Sequence, residues 1–344
     1  MESLQVIREK NLAQNVVFVG GIGGCGKSMM VPIIGSLHRV ELQKYDYTLE
    51  HICTLFCLGK MSADVATALI RMQVDMDLYN LMMSRETNFR FSDLSSVFKN
   101  PWAWRYIRRL FQAGDEVAAQ RIEKEKPILN IVMHDSLQRS EPLLLALGTR
   151  ARFVEVVRHP LYMLRQWIVN VESLLNGGGS PREFGIWFNY KGKTLPWFAH
   201  GWEEKYLAAN NMDKTIYLLE KHIHKVDQVY QNLSPEQKKQ VLIIPFEKFV
   251  ITPWSYLKDL EGLLETKTTS YTKRVMKKQR VPRKKIADGI GRAIYKKYGW
   301  ESSVKENNEA QEYKKRREFA AGLASKEAMH VLDQLSRNYE RNYL

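Results

Sequence analysis

The chain has 344 residues, 44% of them hydrophobic, and only three cysteines. That length allows one large α/β domain or two modest ones, and three cysteines without paired spacing argue against a disulfide framework and for a reducing compartment. Lys and Arg outnumber Asp and Glu by 52 to 38, a net charge of +14, so the surface should attract anions, while no RNP-like aromatic pattern or zinc-knuckle spacing directs that charge to nucleic acid.

The first residues, MESLQVIREKNLAQN, hold no apolar stretch of the kind a signal peptide needs. No run of about 18 apolar residues occurs elsewhere. The expectation is a cytoplasmic protein that does not engage a membrane. Val16 to Val19 then reads as a buried parallel strand. It runs into Gly21-Ile22-Gly23-Gly24-Cys25-Gly26-Lys27-Ser28, which satisfies G-x-x-x-x-G-K-[ST] in full. A helix should begin near Gly26, with Met29, Met30, Ile33, Ile34 and Leu37 on its apolar side. The glycines let backbone N–H groups turn inward around a phosphate, and the helix N-terminus adds its partial positive charge. Lys27 brings a full charge and Ser28 a hydroxyl.

Residues 47 to 85 carry apolar positions at helical spacing without proline. Cys53 and Cys57, four apart, read there as small buried hydrophobes. A further aromatic helix should start near Pro101. PILNIVMHD, 127 to 135, is the second clear strand, and ARFVEVVRHP, 151 to 160, the third; SEPLLLALG between them reads as a helix ending at Gly148. NGGGSPREFG, 176 to 185, reads as a loop. An amphipathic helix, DKTIYLLEKHIHKVDQVYQNL, precedes a fourth strand, QVLIIPFE, 240 to 247. From about 265 the composition turns basic, and the last helix should run from Ser325 to about Tyr343 with a stripe of Val331, Leu332, Leu335 and Tyr339. Strands alternating with helices predict a three-layer α/β/α fold around a mostly parallel sheet, of the P-loop nucleoside-triphosphatase type, with large helical insertions. The expected organisation is one domain over 1–344, with a helical insertion at 40–126 and a basic segment plus C-terminal helices at 265–344.

The loop alone leaves two chemistries open. In a small-molecule kinase it holds ATP, with Lys27 and Ser28 on the phosphates, Asp135 as a magnesium ligand at the end of the second strand, and Arg158 and Arg165 stabilising charge. In a sulfotransferase a related loop holds a 5′-phosphosulfate without a metal. A third reading is a nucleotide-binding scaffold that transfers nothing.

FVEVVRHPLYMLRQW resembles the 3′-phosphate-binding segment of the sulfotransferase superfamily, through Arg158 and Pro160. VVFVGGIGGCGKSMM resembles the family's 5′-phosphosulfate loop, in the form found in tyrosylprotein sulfotransferases. VLIIPFEKFVITP is similar to its late strand, and VPRKK, 281 to 285, to its C-terminal basic segment. His134 lies 24 residues before Arg158, close to the spacing of the family's histidine base. The sequence departs from the family at Gly24, where a Lys or Arg is usual, at Lys27, where many members have Thr, and at Gln166, where a Ser is usual. The resemblance implies a donor, 3′-phosphoadenosine-5′-phosphosulfate, released as adenosine 3′,5′-bisphosphate with no metal required. It implies that Gly23, Gly24, Cys25, Gly26, Lys27, Ser28 and Met29 hold the 5′ end, and that Arg158, Gln166, Arg283 and Lys284 hold the 3′-phosphate. Lys27 and His134 are then the catalytic pair. The partner is a small-molecule acceptor with a hydroxyl or amine. It would be met by the helical insertion at 40–110 and the loop at 176–200, with Tyr45, Tyr47, Arg85, Asn88, Arg90, Asp135, Trp197 and Trp202 as candidates. His200, His222 and His224 lack ligand spacing and read as surface or structural. Monomer and homodimer remain equally compatible with the sequence.

Overall fold

The computed structural model describes residues 4–93, 95–175, 184–286 and 309–344. Five strands form one parallel sheet: β1 (Asn15–Gly20), β2 (Lys44–Tyr45), β3 (Ile128–Val132), β4 (Ala151–Val157) and, after a separate hairpin of β5 (Trp187–Tyr190) and β6 (Lys193–Pro196), β7 (Val241–Pro245). Their order across the sheet is β2-β3-β1-β4-β7. β1 pairs with β3 on one side (Val16 opposite Leu129) and with β4 on the other (Phe18 opposite Phe153).

The pleat explains why the strand sequences are apolar throughout. Val17, Val19, Val154 and Val156 face one core, and Val16, Phe18, Leu129, Ile131 and Phe153 face the other. Both faces are therefore covered, as a parallel sheet requires. The first core is closed by α1 (Lys27–Ile34), by helices Pro160–Leu175 and Asn211–Asn232, and by the C-terminal helix Lys326–Tyr343. The second is closed by α2 (Tyr47–Cys57), α3 (Ala63–Met82), α4 (Ala103–Arg109), α5 (Asp115–Glu125) and α6 (Ser140–Leu147). This is the expected three-layer α/β/α arrangement. Helix Pro160–Leu175 is called α7 below; α8 is Glu203–Ala208 and α9 is Asn211–Asn232.

The 40–126 stretch is held by a buried ion pair. Arg109 donates to both oxygens of Glu41, at 2.7 and 3.1 Å, and Tyr106 Oη donates to Glu41 at 2.7 Å. The stretch is not all helix. Residues 44–45 form the sheet's edge strand, pairing Lys44 with Ile131, because the chain must pass the end of β3 to reach α2. Residues 187–196 are likewise a hairpin rather than loop; Lys191 and Gly192 both take positive φ, 49° and 78°, as a tight two-residue turn demands. The loop expected at 176–185 lies mostly outside the described residues. Cys53 is buried as expected, whereas Cys57 is exposed, since it sits on the outer side of the last turn of α2. No described helix is long and apolar enough to cross a membrane.

The order of strands matters for the site. The chain leaves β1 toward β3 and β2 on one side, then returns to β4 and β7 on the other. The crevice beyond the carboxyl end of β1 is thus the switch point of the sheet, where open α/β folds bind ligands. The glycine-rich loop opens into it.

Candidate nucleotide site

The loop following β1 is built by backbone that only glycine takes easily. Gly21, Gly24 and Gly26 have φ of 120°, 88° and 103°. At Gly21 a Cβ would fall 2.4 Å from the Val156 carbonyl oxygen, and at Gly26 one would fall 2.2 Å from the Phe246 ring. Gly26 is the N-cap of α1, which has no side-chain cap, so the first amides of the helix face the loop. Lys27 is buried and donates to Gly21 O at 2.6 Å, closing the loop across its own mouth; Ser28 is exposed. Burial pushes the Cys25 thiol up to about 11, against the pull of Lys27, so Cys25 packs and does not react.

α7 supplies the loop's outer wall. Trp167 Nε1 donates to Gly23 O at 2.6 Å, and Gln166 Oε1 lies 3.2 Å from where a Cβ on Gly24 would stand. A side chain at 24 would require the end of the Gln166 side chain to give way by a few tenths of an ångström. Arg158, just past β4, donates to Gly24 O at 2.9 Å. Its guanidinium lies 4.3 Å from the Phe246 ring centroid and 3.8 Å from Glu247. Burial raises the Glu247 carboxyl, Arg158 opposes that, and Tyr339 Oη donates to Glu247 at 2.5 Å. Arg283 also stands against this ring, 5.4 Å from the Phe246 centroid, with Nη2 3.6 Å from Met29 Sδ. Lys284 follows it on the exposed side. Gly23 to Met29, Arg158, Gln166 and Arg283 therefore come together, from segments more than 100 residues apart.

A second cluster stands beside the loop at the end of β3. His134 and Asp135 lie beyond the strand, which ends at Val132 rather than at 135. His134 N donates to Glu50 Oε1 at 2.5 Å, and the ring Nδ1 is 3.0 Å from the same oxygen. Its side chain is 46% exposed, enough for the ring to meet a ligand. Arg139 donates to His134 O at 2.6 Å and to Glu50 O at 3.1 Å, and stacks 4.5 Å above Trp197. Burial raises the Glu50 carboxyl, but His134 and Arg139 outweigh it and hold Glu50 below its usual range.

Asp135 takes φ of 55°, which turns its carboxylate inward. There His222 Nδ1 lies 3.0 Å from Oδ1 and Arg139 Nη2 lies 3.9 Å from Oδ2. Burial alone would raise Asp135; His222, Arg139 and His134 reverse that and hold it well below the carboxylate range. On its other side His222 Nε2 stands 4.0 Å from Glu155 Oε1. Glu155 is buried in β4, and desolvation, with Asp135 adding to it, pushes its carboxyl up to about 7 despite His222 and Lys27.

His222 is thus no surface residue: it is buried between two carboxylates. The signal for it was its place on the apolar stripe of α9, between Leu219 and Val226. The signal for Glu155 was an acid inside the apolar run FVEVV. His200 is exposed beside Glu203, and His224 is exposed on α9. Among the acceptor candidates, Asp135 and Trp197 join the His134 cluster. Tyr47, on the same helix as Glu50, packs its ring 6.0 Å from Phe184. Arg90 stays in its own turn with Asn88, Ser92 and Asp93. Arg85 lies over Tyr79, and Trp202 is core, packed edge-on to Tyr206. Among the described residues no group of three or more His, Cys, Asp or Glu is arranged to hold a metal ion.

The chain matches no protein-family model and no curated protein. Among solved structures it is similar to the sulfotransferase STF1 of Mycobacterium tuberculosis H37Rv, at 12% identity and a TM-score of 0.37 over 90% of this chain and 77% of that one. It is similar to the sulfotransferase domain of the curacin biosynthetic pathway, at 11% and 0.38 over 89% and 97%. It is also similar to the sulfotransferase domain of the Synechococcus PCC 7002 olefin synthase, at 13% and 0.37 over 93% and 98%. All three are sulfotransferases, the family that the sequence resembles; at these identities and scores the likeness carries no argument about residues or substrates.

Proposed function

We propose that this protein is a sulfotransferase, which moves a sulfuryl group from 3′-phosphoadenosine-5′-phosphosulfate to a hydroxyl or amine of a small-molecule acceptor. The observation that supports it most is the meeting of Arg158, Gln166 and Arg283 on the flank of the glycine loop, at Gly24 and Met29. A triphosphate on such a loop relies on a magnesium ion held by an acid as well as on nearby arginines. A nucleotide with a second phosphate on its ribose needs cationic donors beside the loop as well, and an arginine fork suits that group.

The donor brings the activated sulfuryl group; the chain supplies charge, position and a base. Lys27, Ser28 and the first amides of α1 put positive charge where negative charge grows on the departing phosphate. Lys27 exchanges its bond to Gly21 O for that role. His134, with Nδ1 against Glu50, presents Nε2 outward to take the acceptor's proton, and Glu50 steadies the charged ring. Arg139 and Trp197 frame the acceptor side. The kinase reading asks Asp135 to bind magnesium, but its carboxylate is turned inward toward His222 and Arg139. Calorimetric titration tests the choice. Adenosine 3′,5′-bisphosphate without magnesium should bind at least tenfold more tightly than ATP with magnesium; the reverse order overturns the proposal in favour of phosphoryl transfer.

A further inference from the structure

A cavity of about 170 Å³ lies past the end of β4, between α9 and the C-terminal helix, with Ile22 of the loop at one side. Its wall is mostly apolar, including Val156, Met163, Val226 and Leu335, and Glu155 is on its polar side. Glu155 is 1% exposed; the Leu137 backbone amide bears on its carboxylate, and its Oε2, on the side of Gly20 and Ser136, has no hydrogen-bond partner among the described residues. A buried carboxylate is costly unless a cation or donor meets it. The neighbouring cations are engaged elsewhere. Lys27 Nζ donates to Gly21 O, Arg158 is bonded to Gly24 O, and Arg341, at the rim, donates to Asn338 Oδ1. His222 turns Nδ1 to Asp135, and its Nε2 is 4.0 Å from Glu155, beyond hydrogen-bond reach. Asp227 at the rim adds a second carboxylate.

We infer that this cavity binds a short alkylammonium group, with Glu155 as its counter-ion and the apolar wall taking the alkyl chain. The volume is that of a benzene-sized guest, about six non-hydrogen atoms, so the ligand is a small amine or the amine-bearing end of a larger one. Placed beside the loop, this would be the anchoring end of the acceptor. Only that last assignment rests on the proposed sulfuryl transfer; the binding of the cation does not.

The pH dependence has a defined sign. Glu155 is faced by Lys27 from the loop, Asp135 from the turn after β3, His222 from α9 and Tyr343 from the C-terminal helix. Burial dominates among these influences, and the carboxyl is pushed up to about 7. An alkylammonium keeps its proton to about pH 10, so binding requires Glu155 to lose its own. Affinity should rise severalfold from pH 6 to pH 8.

The test is calorimetry or ligand-observed NMR on the full chain, with n-butylammonium chloride against 1-butanol at matched ionic strength. At least a tenfold preference for the ammonium is expected, and Glu155→Gln should abolish both the preference and its pH dependence. Val226→Phe, which fills the cavity and leaves Glu155 in place, should block binding, and it serves if the first variant does not fold. Equal binding of amine and alcohol, no binding of the amine, or binding that survives either folded variant overturns the inference. So does displacement of n-butylammonium by adenosine 3′,5′-bisphosphate, which would make the cavity part of the nucleotide site. Failure of that nucleotide to bind, with n-butylammonium still bound, removes the transferase reading and leaves the cation site standing.

Discussion

Arg158 stands between the glycine loop and the buried carboxylate of Glu247, so its loss should cost stability as well as affinity. Removing one partner of a buried pair leaves the other charge without compensation, a penalty of about 3 kcal/mol. Arg158→Gln is therefore expected to lower the urea midpoint clearly, and an unchanged midpoint would show that Glu247 does not depend on it. Lys27 presents the opposite case. Its one hydrogen bond among the described residues is to the carbonyl of Gly21 in its own loop. Lys27→Ala should leave the unfolding transition nearly in place while lowering turnover by about a hundredfold or more, the scale of losing one preorganised charge at a developing anion. Full turnover in that variant, measured with any accepted substrate, would remove Lys27 from the chemistry.

At the scale of elements, the packing of α2 against α3 contains a charged cluster with its own pH signature. Asp46 caps α2, its Oδ1 accepting from Leu49 N at 3.0 Å. Gln73 bridges Asp46 to Asp77, and Lys44 lies 2.5 Å from Asp77. Burial, together with Asp46, pushes the Asp77 carboxyl up to about 8, although Lys44 pulls it down. A carboxyl that holds its proton more tightly when folded stabilises at low pH, and that contribution is lost as pH rises from about 4 through 8. Melting temperature should thus fall between pH 5 and pH 8.5, and Asp77→Asn should shrink that fall by several degrees; an equal fall in both proteins would refute the assignment. The elements themselves were legible to different degrees. β1, β3, β4 and β7 show as apolar runs because both faces of a parallel sheet are buried. The C-terminal helix shows through its Ser325 cap and its stripe. β2 has two residues and no pattern to read, and the hairpin at 187–196 was marked only by Lys191-Gly192. Strand ends were read too long at His134-Asp135, because a chain can stay apolar past the point where pairing stops.

For the whole molecule, the sequence displayed the parts of the site but not their joining. The loop, Arg158 and VPRKK could each be found by inspection, since each is a local pattern. Glu50 and Arg139 left no local pattern, and Glu155 and His222 only a single hint each, because what makes the four important is their mutual approach across α2, β4, α9 and the turn before α6. Two acceptor candidates from the insertion, Arg85 and Arg90, engage Tyr79 and the turn of Asn88 to Asp93 and not the His134 cluster. Charge reports what a surface attracts, whereas only topology decides which side chains share a crevice.

The bond from Trp167 to Gly23 O gives the loop a built-in optical gauge. An indole whose N–H is held by a carbonyl changes its emission when that partner moves or its surroundings lose water. Any ligand that reorganises the loop should therefore shift the fluorescence of this one ring, although the chain has eight tryptophans. The difference between the wild type and Trp167→Phe during a titration with adenosine 3′,5′-bisphosphate would isolate its signal. A saturable change confined to the wild type is expected, and its midpoint would report loop occupancy directly, before any acceptor has been found.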